Sequence, residues 1–113
     1  MDISFCVGKN AKDNWNLLDS SEPDDIWVHI NNYPSCYVII KNFNNIQKEH
    51  IEHACKLCYL KSKNKLPSFL KKIQFCYLEC KYVKKGKSTG EAICMKKPNL
   101  KSFKRTILYT NSN

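Results

Sequence analysis

Two cysteine pairs are the first candidates for chemistry. Cys55-x-x-Cys58 and Cys76-x-x-x-Cys80 are separated by 17 residues, close to the spacing of a four-thiolate zinc ribbon. The second pair tells against it, because residues four apart on a strand stand about 13 Å from each other, too far to grip one ion. Cys55 and Cys58 fall on the apolar side of a helix-period segment, where a thiol packs as a small hydrophobe. The thiols read as core, and no metal or other cofactor is expected. His50 and His53 supply no ligand set, since His53 points away from Cys58 around the helix. A nucleophile pair of Cys36 with His29 across a hairpin stays open, but no oxyanion loop, paired carboxylates or catalytic signature accompanies it. The reading expects no enzyme.

The residues suited to anions are more numerous. Gly8-Lys9-Asn10 places a glycine, a cation and a cap at a helix N-terminus, where free N–H groups attract phosphate, although a plain cap explains it equally well. Lys81, Lys84, Lys85 and Lys87 lie along a strand end and its loop, with Tyr82 between them. That pattern suits a surface that tracks a nucleic-acid backbone and stacks one base, or else a solvated loop. His29, at a strand end, is a polar ring able to reach a phosphate or a base. These groups are expected to line one continuous face.

Charge sets the class of partner. Of the 113 residues, 19 are Lys or Arg and ten are Asp or Glu, giving +9. Residues 1–30 hold two basic side chains against six acidic, a net −4; the remainder holds seventeen against four, a net +13. A field of that sign draws polyanions, nucleic acid first and an anionic membrane surface second. Lysine outnumbers arginine 18 to 1, so part of the excess also reads as solubility. The longest apolar run, Cys36 to Ile40, is far short of the roughly 20 residues of a membrane span. Met1-Asp2-Ile3 does not open a signal peptide, and seven cysteines, an odd number, suit reduced thiols. A cytoplasmic domain with one core is expected, without membrane residence.

The elements that must hold these residues alternate between two periods. Ile3 to Val7 reads as a strand ending at Gly8, and Asn10 caps a helix through Leu18. Ser20 to Asp24 is turn chemistry. Asp25 to Ile30 alternates, with Ile26, Val28 and Ile30 on one face and Trp27 and His29 on the other. The three aliphatics make the better core face, and Trp27 is expected to pack in a second layer. Cys36 to Lys41 forms the next strand and a hairpin with its neighbour. Gln47 to Lys63 is helical, its stripe formed by Ile51, Ala54, Cys55 and Cys58, and Pro67 bars continuation. Lys72 to Lys84 reads as one long strand, followed by a basic loop to Gly90. Strands at Glu91–Met95 and Phe103–Tyr109, turned at Pro98-Asn99, close the chain. The class is α+β: five to six strands in a mostly antiparallel or mixed sheet, with two helices.

In order, the segments 7–14, Pro23-Asp24-Asp25-Ile26-Trp27-Val28-His29, Pro34-Ser35 with Val38-Ile39-Ile40, 51–63 and 81–90 resemble the NFACT-R domain. The resemblance spans roughly Ile3 to Met95, and Asp-Ile-Trp-x-His is its most specific part. It implies the RNA-binding module of ribosome-quality-control proteins, which bind the large subunit with tRNA and direct C-terminal tailing of stalled peptides. Similar domains stand alone or beside a coiled coil, and one group is associated with DNA. Val28 stands where the family usually has an aromatic, and Cys55 and Cys58 stand where small residues are usual. The C-terminal loop lacks the family's usual prolines. Asn14 and Ser35 lie in the matching segments and join Lys9, Asn10, His29, Lys81, Tyr82, Lys84, Lys85 and Lys87 as expected RNA-contacting residues. A stand-alone domain of residues 1–113, with a core at about 3–95 and a C-terminal strand or tail at 96–113, is expected to bind tRNA or rRNA, possibly on the ribosome. DNA is the first alternative; an enzyme acting on RNA through the His29 neighbourhood and a zinc-binding protein come after it.

Overall fold

Strand alternation and helical period build the first half of the chain as expected. The computed structural model describes residues 3–41 and 45–109, so residues 110–113 of the expected C-terminal segment lie outside it. Strand β1 (Ser4–Val7) leads to α1 (Ala11–Asp19), then to β2 (Ile26–Ile30) and β3 (Val38–Lys41). Helix α2 (Lys48–Ser62) follows, then β4 (Lys72–Glu79), β5 (Val83–Lys85), β6 (Ala92–Cys94), β7 (Asn99–Lys104) and α3 (Arg105–Tyr109). Five strands form one antiparallel sheet in the order β1-β3-β2-β4-β7, while β5 and β6 form a separate ribbon. The class is α+β, with three helices among the described residues where two were expected.

The pleat of β2 divides the interior in two. Val28 and Ile30 pack with Val38, Ile40, Ile73 and Phe75 against Ile51, Ala54, Cys55 and Cys58 of α2 and Leu108 of α3. Trp27, Tyr37, Ile39, Cys76 and Leu78 point the other way, against Leu18 of α1 and Val83 of the ribbon. Trp27 is 2% exposed and belongs to this second layer. The four paired thiols divide likewise: Cys55 and Cys58 lie in the first layer, Cys76 and Cys80 in the second. The sheet stands between them, so they do not converge on one ion.

Two strand boundaries differ from expectation. The alternation of residues 72–84 does not make one strand, because Cys80–Tyr82 forms a 3₁₀ turn and the chain moves from the sheet to the ribbon. Backbone from far away causes the break. The Cys80 N–H donates to the Asp25 carbonyl at 2.8 Å and the Lys81 N–H to the Pro23 carbonyl at 3.2 Å. Asp25 is buried, accepts the Glu22 N–H at 2.8 Å and pairs with the Lys41 ammonium at 2.9 Å, which holds that turn in place. Nor does one strand run over residues 103–109, because β7 ends at Lys104 and α3 begins. Arg105 decides this. Its guanidinium donates to the Tyr59 hydroxyl at 2.9 Å and to the Pro67 carbonyl at 2.8 Å, pulling the chain onto the loop after α2. No helix among the described residues is long and apolar enough to cross a membrane.

Candidate nucleic-acid interface

The turn between β1 and α1 is built by short polar side chains. Asn10 Oδ1 accepts the Asp13 N–H at 2.8 Å, and the Asp13 carboxylate reaches back to the Lys9 N–H at 2.8 Å. The cap therefore brings its own anion, and what remains for a ligand is the exposed Lys9 ammonium. Asn14, 5% exposed, is a strut: its Oδ1 accepts the Tyr37 N–H at 3.0 Å. The Gly8 N–H donates to the Tyr37 carbonyl at 2.9 Å. A Cβ on Gly8 would stand 1.9 Å from Asn14 Oδ1, so this close approach requires glycine.

Three aromatic rings meet on the α1 side of the sheet. Trp27 and His29, two apart on β2, stack with centroids 5.5 Å apart and planes 9° from parallel. Tyr37 stands edge-on to both at 5.6 Å. Burial lowers the His29 pKa to about 4, against the opposing effect of hydrogen bonds to the Ile30 and Ser35 backbone, so its imidazole is neutral at physiological pH. The buried Trp27 indole N–H has no hydrogen-bond partner among the described residues. Beyond the rings, the turn between β2 and β3 is closed by Ser35, whose Oγ accepts the Ile30 N–H at 3.0 Å and donates to the Cys36 carbonyl at 3.2 Å. Cys36, lowered to about 7 by the hydrogen bond from Cys58, lies beside it.

The ribbon closes the opposite side. The Tyr37 hydroxyl donates to the Gly90 carbonyl at 2.6 Å and the Trp15 indole N–H to the Glu91 carbonyl at 3.0 Å. Gly90 has φ +90°, and a Cβ there would come within 2.8 Å of the Ala11 Cβ, so glycine lets the ribbon rest on α1. The basic loop before it is organised around an acid: one Glu91 carboxylate oxygen accepts the N–H groups of Lys87 and Ser88 at 2.8 and 3.2 Å.

Between sheet, ribbon and turn lies a cavity of about 820 Å³. It brings together five expected residues, Lys9, Asn10, Asn14, His29 and Ser35, and adds Trp27, Asn31, Asn32, Lys61, Lys65 and Thr89. Lys9, Lys61 and Lys65 are exposed and have no ion pair among the described residues. Lys61 and Lys65 were not anticipated. Their signal was the alternation Lys61-x-Lys63-x-Lys65 just beyond the helix stripe, where cations also suit the helix C-terminus.

The other expected lysines lie outside that cavity. Lys81, Lys84 and Lys85 line a separate groove with Leu18, Asp19, Glu22 and Pro23. Lys85 pairs with Asp19 at 3.0 Å, and Lys81 stands 3.7 Å from Asp24 and 3.6 Å from Glu79. Tyr82 carries the Lys96 ammonium 4.3 Å from its ring centroid, which covers the ring that was expected to stack a base. Lys87 lies in the ribbon loop, outside both concavities.

Comparison with known proteins decides the family. Residues 2–97 match the model of the NFACT protein RNA binding domain. The chain belongs to the NFACT RNA-binding domain family. An NFACT RNA-binding domain is an RNA-binding module, and in this one the family match takes in every wall of the cavity apart from Pro98. The fold recurs in the solved structure "The structure of the C-terminal of the fibronectin/fibrinogen-binding protein from Streptococcus suis (FBPS)", with a TM-score of 0.78 at 21% identity over 91% of this chain. The NFACT RNA-binding domain described here spans 41% of that structure's chain. No curated protein matches the sequence.

Proposed function

We propose that this NFACT RNA-binding domain binds structured RNA, tRNA or rRNA, in translation or ribosome quality control in the cytoplasm, and that it does so without catalysis. The observation that carries the reading is the set of exposed ammonium groups of Lys9, Lys61 and Lys65 around one concave, aromatic-floored site. Cations left without carboxylates are those a phosphate backbone can recruit without first breaking an ion pair. Lys81, Tyr82, Lys84, Lys85 and Lys87 form a second, weaker contact, since part of their charge is already matched. The absence of a catalytic role agrees with the framework duties of Asn14 and Ser35, whose polar atoms are committed to backbone groups.

The test is a salt titration with a tRNA and with a duplex DNA of equal length. Tight binding to the tRNA that weakens steeply with salt is the expected result. Binding indifferent to salt would remove the electrostatic basis, and equal affinity for the DNA would replace RNA as the partner.

A further inference from the structure

Around the cavity, backbone binding accounts for the cations at its edge but not for its floor. A duplex backbone running across Lys9, Lys61 and Lys65 would leave about 820 Å³ of concave space beneath it. That volume falls within the range of sites that hold a small organic ligand. Its floor is aromatic, made by the stacked rings of Trp27 and His29. It also carries an unmet polar need. Trp27 is 2% exposed, lines the cavity, and its indole N–H is buried with no partner among the described residues. A buried donor left in that state opposes folding unless something at the site accepts its proton.

We propose that the cavity receives one unpaired nucleotide of the bound RNA, its base entering over His29 and Trp27 while Lys9, Lys61 and Lys65 hold the adjoining phosphates. The inference rests on the RNA-binding reading above and adds the part of the RNA that is recognised. A base inside a helix is stacked on both faces and cannot enter, so the partner is a loop, bulge or end. The ring of His29 is partly accessible and neutral, which suits a hydrogen bond to a base edge and a stacking surface better than a phosphate. Base oxygens and ring nitrogens are the acceptors that the Trp27 N–H lacks. Asn31 and Asn32, also on the cavity wall, add amide groups of the kind that read base edges. The Lys81–Lys85 groove offers no such floor: Leu18, Pro23 and Val83 line it without an aromatic ring.

The experiment compares two RNAs carrying the same number of phosphates, a stem-loop and a perfect duplex, by affinity and by ¹⁵N spectra of the two indole N–H groups. The stem-loop is expected to bind about tenfold more tightly and to shift the Trp27 indole resonance, with the duplex leaving that resonance in place. His29→Phe, which retains a ring against Trp27, is expected to bring the two affinities within about twofold. Equal affinities with an unmoved Trp27 resonance would overturn the nucleotide site and leave RNA binding standing. Failure of both RNAs to bind would overturn the RNA reading itself, and the nucleotide site with it. The spectra are recorded on the unaltered protein, so the result does not depend on the variant's folding.

Discussion

The aromatic cavity and the Lys81–Lys85 groove are both lined with lysine, yet they differ in what those lysines are free to do. Around the cavity, Lys9, Lys61 and Lys65 stand without carboxylate partners among the described residues. Along the groove, Lys85 is held by Asp19, and Lys81 by Asp24 and Glu79. The contrast teaches that a local charge count overstates the field that reaches a ligand. Most of the acidic residues lie in the first thirty, and the fold sets two of them, Asp19 and Asp24, against the densest basic segment. The three cations around the cavity come from separate places: the turn before α1, the last turn of α2 and the 3₁₀ turn after it.

The largest effect expected from breaking this comparison is at the cavity floor. Trp27→Ala should destabilise the fold by about 3–5 kcal/mol, read as a shift of the urea midpoint, because the indole fills the second core layer. Next is replacement of Lys9, Lys61 and Lys65 together by alanine, which should weaken RNA binding by about 50-fold at 0.15 M salt and flatten the salt dependence by about two counterions. An unchanged salt slope would mean that the cavity rim does not meet phosphate.

A third effect belongs to His29 and concerns pH. Its folded pKa is lowered to about 4, below the ordinary 6.5, so between those values the unfolded chain binds a proton that the folded chain refuses. The stabilisation is complete above pH 6.5 and is lost as pH falls toward 4. From pH 7 to pH 5 the protein should lose roughly 1–2 kcal/mol through this group. Denaturant titrations at the two pH values should show a smaller loss in His29→Phe. The smallest effect sharpens the contrast from the other side. A Lys84→Ala, Lys85→Ala double variant should weaken RNA binding by less than about threefold and move the melting temperature by under about 3 °C. A larger loss of affinity than in the cavity triple variant would exchange the two regions' roles.

The resemblance of Asp-Ile-Trp-x-His and its neighbouring segments led to the right family, because those residues are local and mostly built into the frame. Cavity residues were legible in part. Gly8, Asn10 and Asn14 cluster within seven positions, and their spacing suffices to show a capped turn. Lys61 and Lys65 could not be assigned to the same site, because α2 packs on the opposite sheet face and only its last turn reaches the cavity edge. Nor could the division of Lys81 to Lys87 from Lys9 be read, since it depends on the ribbon leaving the sheet at Cys80.

By itself the sequence determined whatever its own periodicity encodes. The stripe Ile51, Ala54, Cys55 and Cys58 specifies which side of α2 is buried, and alternation in β2 specifies that Trp27 and Val28 enter different layers. Tertiary structure alone decided where alternation stops. Residues 72–84 read as one strand, but the carbonyls of Pro23 and Asp25 capture the N–H groups of Lys81 and Cys80 and turn the chain out of the sheet. In the same way, carbonyls and a hydroxyl near the end of α2 capture Arg105 and stop β7. Side-chain period reports which face is buried, whereas the end of a strand is set by the hydrogen-bond partner its backbone finds, and that partner can lie more than fifty residues away.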